Sequence, residues 1–171
     1  NLADDDSIKN ILNVPLGGTG NGNGDFAGQV YNTDKTAPNA NLNPIADITA
    51  AGETSQTLTV AFSDATAVNV SSLDDSDIVV NWSGGTIPAT FVSAVPNSNG
   101  TSPTATYFLV PPGGSWDNSD NGSYAISLQA NQVKDTVGNV NGISNLGTFA
   151  VNISAPTPTP ATARRHCCSH S

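Results

Sequence analysis

Between residues 56 and 153 lie several short runs in which large apolar side chains return at every second position. Leu58, Val60 and Phe62 alternate with Thr57, Thr59 and Ala61. Ile78, Val80 and Trp82 repeat the pattern, with Val79 making that segment more apolar; Tyr124, Ile126 and Leu128 follow, then Phe149, Val151 and Ile153. A period of two places alternate side chains on one face of an extended chain, so each run predicts a half-buried strand. Phe91 to Val95 and Thr104 to Val110 read as further strands. Turn formers separate them: Ser83-Gly84-Gly85-Thr86, the polar stretch Pro96 to Pro103, and Pro111-Pro112-Gly113-Gly114. No apolar pattern of period 3.6 has a useful length. Short strands at this spacing predict an all-β chain, an antiparallel β-sandwich.

The composition agrees. Asn, Ser and Thr supply 20, 18 and 18 positions, and only 11% of residues are charged. Asn, Gly and Thr are poor helix formers, which disfavours a helical bundle. The chain carries 14 acidic and 5 basic side chains for a net charge of −9, and residues 1–163 hold three of the five basic ones. Binding to duplex nucleic acid or to an anionic membrane surface needs Lys and Arg that this stretch lacks. No apolar run reaches the ~18 residues of a membrane-spanning helix. The two cysteines, Cys167 and Cys168, are adjacent near the end, so no disulfide framework supports the body of the chain.

Three regions are expected. Residues 1–33 form a flexible N-terminal arm or linker, with the remnant of a preceding module or an exchanged strand as its alternatives. It holds the apolar stretch Ile8, Ile11, Leu12, Val14 and Leu16, a Gly/Asn run from Gly17 to Asp25, and a short strand candidate from Phe26 to Tyr31. Residues 34–154 form the sandwich, opening at Asp34-Lys35-Thr36-Ala37-Pro38, where Pro38 holds Ala37 extended. Residues 155–171 are a Pro/Thr-rich linker of polyproline type and a tail.

Four local motifs, in order, resemble bacterial immunoglobulin-like repeat domains of large secreted and cell-surface proteins. Asp34 to Pro38 is similar to the Asp-x-Thr-x-Pro junction that opens such repeats, and Leu58-Thr59-Val60-Ala61-Phe62-Ser63 to their second strand. Asn121-Gly122-Ser123-Tyr124-Ala125-Ile126 resembles their Gly-x-Tyr-x-Ile strand, and Val133-Lys134-Asp135-Thr136-Val137-Gly138-Asn139 their Val-x-Asp-x-x-Gly-Asn turn. The resemblance spans residues 34–154 and implies an immunoglobulin-like sandwich with a spacer or adhesive role, without catalysis.

Calcium is the cofactor the side chains fit best, because Asp and Asn offer hard oxygen ligands. The candidate ligands are Asp34, Asp117, Asp120 and Asp135. Asp117-Asn118-Ser119-Asp120-Asn121-Gly122 matches the first half of an EF-hand loop, but Leu128 stands where the bidentate Glu belongs and the flanks read as strands. Asp135 has an alternative role, accepting backbone amides in a tight turn whose Gly138 and Asn139 tolerate a left-handed backbone. Asp74-Asp75-Ser76-Asp77 reads as a solvated loop that protects an edge. Both histidines, His166 and His170, lie in the tail beside Cys167 and Cys168. The soft ligands there suit zinc or copper, but nothing around them would orient a metal. With no imidazole or thiol in the body of the chain, a catalytic triad cannot be assembled, and the chain is read as no enzyme.

The expected function is that of a structural or adhesive module of an extracellular or cell-surface bacterial protein or fibre, stiffened by Ca²⁺. Its partners would be neighbouring copies or modules, with no nucleic acid and no membrane insertion. Ile8, Ile11, Leu12 and Val14 are the candidate strand for addition to a neighbour's open sheet. The alternative is a carbohydrate-binding accessory domain of a secreted enzyme, with Trp116 in its Gly/Asp loop as the glycan contact and Trp82 assigned to the core.

Overall fold

Leu58, Val60 and Phe62 are buried to 1% exposure or less, while the smaller residues between them remain at least partly exposed. Eight strands form: β1 (Asn39–Leu42), β2 (Gln56–Ser63), β3 (Ile78–Trp82), β4 (Gly85–Pro88), β5 (Thr90–Val95), β6 (Thr104–Leu109), β7 (Gly122–Leu128) and β8 (Ser144–Val151), and the same inward and outward alternation is clearest in β6 and β7. The computed structural model describes residues 7–15, 17–18 and 30–157. Among these residues there is no α-helix, and three short 3-10 turns lie at Val70–Ser72, Pro112–Gly114 and Asn118–Asp120. The chain divides into two units, Asn1–Asp34 and Lys35–Ser171, within the junction that runs from Asp34 to Pro38.

In the second unit the strands form two antiparallel four-stranded sheets, ordered β1-β2-β6-β5 and β4-β3-β7-β8. Their apolar faces meet in one core, a β-sandwich. The register puts like with like: Leu58 pairs with Tyr107, Val60 with Ala105, Val80 with Ile126 and Tyr124 with Phe149. Tyr124 lies nearly parallel to Trp82 on one side (5.5 Å between ring centres) and to Phe149 on the other (5.0 Å). Its hydroxyl donates to the carbonyl of Asp120, four residues upstream, at 2.9 Å and fixes the turn into β7.

β1 and β4 are strands that alternation alone does not reveal, since both are only four residues long. β4 follows from a tight hairpin after Trp82. The Trp82 ring lies over Gly84, where a Cβ would collide with it. Trp82 is therefore half-buried at the rim of the core and not inside it. No strand contains Asp, Glu, Lys or Arg. Every acidic group of the sandwich lies in a loop or turn.

In the first unit, residues 9–15 form a closed loop. Lys9 and Pro15 make an antiparallel bridge, and the Asn10 side chain accepts the amides of Leu12 and Val14 at 2.9 and 3.1 Å. The expected strand at 26–31 lies largely outside the described residues. The Gly/Asn run beyond Gly18, the end of the Pro/Thr linker and the tail with His166, Cys167, Cys168 and His170 lie wholly outside them.

Candidate functional site

Three loops converge at one end of the sandwich around Val68, which is fully buried. The Val68 amide donates to the Gly100 carbonyl at 2.8 Å, that of Thr136 to Ala67 at 3.0 Å, and that of Asn69 to Lys134 at 2.8 Å. These bonds bring together the segments after β2, before β6 and after β7. Each segment is too irregular to pair with a strand, so each satisfies its amides on its neighbours.

Two carboxylates sit in this convergence. Asp64 follows β2 directly, and its Oδ1 accepts the amides of Thr66 and Ala67 at 2.8 and 3.0 Å, turning the chain out of the sheet. Only 9% of Asp64 is exposed, and its Oδ2 is buried with no hydrogen-bond partner. Asp135 is also buried. Its Oδ1 accepts the amides of Val137, Gly138 and Asn139, and its Oδ2 accepts the side-chain amide of Asn139 at 2.6 Å. Gly138, at φ +102°, closes that turn in a conformation that disfavours a side chain. Desolvation opposes the charge on Asp135, but these bonds from Asn139, Gly138 and Val137 together hold its carboxyl below the usual range.

A carboxylate oxygen of Asp64 and one of Asp135 lie within 4.8 Å of each other. Two like charges this close repel, and a divalent cation between them would relieve the repulsion and supply the missing partner of Asp64 Oδ2. Asp64 also lines an open hollow of about 400 Å³ beside Thr36, Asn39, Ser63, Thr101 and Ser102, whose oxygens suit a hard cation or its waters. These are hard oxygen ligands of the class that calcium takes. Sequence reasoning chose Asp135 and missed Asp64, an isolated acid directly after the Leu58 to Ser63 strand motif.

Of the remaining candidate ligands, Asp117 and Asp120 lie in a separate turn before β7. Asp34 is half-buried and is the last residue of the N-terminal unit. Asp117 and Asp120 are joined in one 3-10 turn. Asp117 Oδ1 accepts the Ser119 amide at 2.7 Å and the Ser119 hydroxyl, while Asp120 Oδ2 accepts the Asp117 amide at 3.0 Å. The Ser119 hydroxyl first, then its amide and that of Asp120, keep the Asp117 carboxyl below its ordinary range against a smaller desolvation effect. The apparent half of a calcium loop is a capping box, with each acid serving the other's backbone.

Trp116 requires a correction. It is fully buried, edge-on to Tyr124 (5.3 Å between ring centres) and to Phe149 (6.1 Å). Backbone bonds from Trp116 to Glu53 (2.9 Å) and from Gly52 to Trp116 (3.0 Å) clamp it under the 52–53 segment. A ring in that position cannot stack on a sugar. The polar residues on either side disguised it as a surface residue, because its burial comes from chain crossing over it. The strand-addition reading of Ile8, Ile11, Leu12 and Val14 lacks an extended segment here. All four are at least 46% exposed, but Asn10 folds Ile11, Leu12 and Val14 into the closed loop that begins just after Ile8. The Asp74–Asp77 loop is not uniformly solvated either, since Asp77 is fully buried.

No helix among the described residues is long and apolar enough to cross a membrane. No family model, no curated protein and no solved structure matches the chain.

Proposed function

We propose that the sandwich is a non-catalytic, immunoglobulin-like structural module of an extracellular bacterial surface protein or fibre, stiffened by Ca²⁺ held between Asp64 and Asp135. Two features support the immunoglobulin-like reading. The strand orders β1-β2-β6-β5 and β4-β3-β7-β8 correspond to an ABED sheet facing a CFG sheet extended by one strand. The Tyr124 hydroxyl on the Asp120 carbonyl corresponds to the tyrosine corner of such domains.

The observation that carries the functional reading is the buried, partnerless Oδ2 of Asp64 beside the buried carboxylate of Asp135. An acid pair of this kind has few protein ligands, so it belongs with weak sites of roughly 10⁻⁴ to 10⁻³ M, which fill outside the cell. The ion joins the loop after β2 to the loop after β7 and stiffens one end of the module. Neighbouring modules of the same surface protein are its natural partners.

Thermal unfolding with Ca²⁺, with Mg²⁺ and with EDTA tests this reading. At tenfold excess over Kd the ion adds about 1.4 kcal/mol to the native state, a shift of a few degrees. Asp64→Asn keeps the acceptor for Thr66 and Ala67 while removing one of the two charges. The variant is expected to melt higher than wild type in EDTA and to lose the calcium response. A wild-type Tm indifferent to Ca²⁺ would sink the cation site.

A further inference from the structure

A polar contact crosses the core between the two sheets. Asp77, the residue before β3, is fully buried, and its Oδ2 accepts a 2.6 Å hydrogen bond from the hydroxyl of Tyr107, itself fully buried on β6. The same oxygen accepts the Asp74 amide at 2.9 Å, whereas Oδ1 is buried without a partner. The Asp77 carbonyl accepts the amide of Gln129, just past β7, at 2.8 Å. Two residues earlier, Asp75 Oδ1 accepts the Phe91 amide on β5 at 2.6 Å, and the Phe91 ring stands edge-on to Tyr107. The loop from Asp74 to Asp77 thus clips β5 and β6 of one sheet to β3 and β7 of the other.

Ionising a buried carboxyl that has one bare oxygen is unfavourable unless an opposite charge faces it. The charges acting on Asp77 come from Asp74 and Asp75, on its own loop and of the same sign. From β6 it faces Tyr107, whose hydroxyl is raised above its ordinary range, first by burial and then by the charge of Asp77. β5 contributes the apolar Phe91 beside Tyr107, and the end of β7 contributes the neutral Gln129. The Asp77 carboxyl is pushed up to about 6, chiefly by burial; the bonds from Tyr107 and Asp74 oppose this rise, and the Asp74 and Asp75 charges add to it.

We propose that Asp77 is a proton-operated brace between the two sheets: protonated, it holds the loop to Tyr107 with no charge in the core, and ionised, it keeps those bonds but buries an unbalanced charge that loosens the β3, β5 and β6 junction. Asp77 binds its proton more tightly in the folded chain than at its ordinary value of 3.8. Its stabilising contribution is therefore complete below about 3.8 and is lost as pH rises through about 6. A module built this way is tighter in mildly acidic surroundings than at neutral pH.

The test compares thermal unfolding of the full chain and of Asp77→Asn, in EDTA, from about pH 4.5 to about pH 7.5. Asn retains an acceptor for Tyr107 and Asp74 but cannot ionise. The Tm of the variant relative to wild type is expected to rise across this window by roughly 5 °C or more. Parallel profiles would overturn the proposal. If the variant does not fold, a ¹³C carboxyl titration of the wild-type chain decides the matter. An Asp77 midpoint near 6 is expected, and a midpoint in the ordinary carboxylate range would refute the brace.

Discussion

Asp residues perform several different tasks in this sandwich, and environment alone separates them. Asp117 caps a turn, Asp135 organises another, Asp64 leaves an oxygen unpaired and Asp77 spans the core. The turn at Asp135 was readable from Asp-x-x-Gly-Asn, because its partners lie within four residues. The contact of Asp77 was not, because its partner Tyr107 is 30 residues away. Gly138→Ala is expected to destabilise the chain by about 1 kcal/mol, since its φ of +102° disfavours a Cβ, and urea unfolding measures this. Tyr124→Phe removes the hydroxyl bonded to the Asp120 carbonyl and keeps the ring stack, so it should cost about 1 kcal/mol. A loss several times larger would mean that the hydroxyl also holds β7 in register.

At the level of strands, edges without charges need another form of protection against pairing with foreign strands. β1 and β4 are four residues long, and β4 ends in Pro88. β5 carries an irregularity between Phe91 and Ser93, and Asp75 occupies the Phe91 amide. The eight-residue edge strand β8 is covered near its end. The Ile48 amide donates to the Ala150 carbonyl at 2.9 Å, the Asn152 amide to the Ile48 carbonyl at 2.8 Å, and the Ala150 amide to Asp47 Oδ1 at 2.8 Å. Ile48→Pro removes one of these bonds and should cost about 1–3 kcal/mol. It should also promote self-association through the uncovered edge, which sedimentation measures; a destabilised but strictly monomeric variant would show that the cover does not guard β8. Beyond β8, Asn121 binds both the amide (2.7 Å) and the carbonyl (2.9 Å) of Ile153, so its side chain stands in for a strand partner.

For the molecule as a whole, the placement of acids sets the response to pH. Asp117 and Asp135 are held below their ordinary range, so their contribution is present above about 4 and is lost as pH falls through their folded values. Asp77 acts in the opposite direction, losing its contribution as pH rises through about 6. In EDTA the Tm profile should therefore peak in mild acid and fall on both sides, which calorimetry between about pH 2 and pH 8 checks. A profile that stays level from mild acid to about pH 8 would mean that Asp77 does not lose its contribution.

The all-β class and the inward faces of β2, β3, β7 and β8 were determined by sequence alone, apart from Trp82 at the rim, because alternation is a local property that a period of two exposes directly. The turn at Asp135 was local in the same sense. The partners of Asp64 and Asp77, the burial of Trp116 and the cover over β8 were settled by the packing of distant segments. Each depends on which backbone crosses a side chain or which carboxylate ends beside it. No window along the chain contains that information, because sheet pairing and loop convergence join residues whose neighbours in sequence carry no trace of the contact.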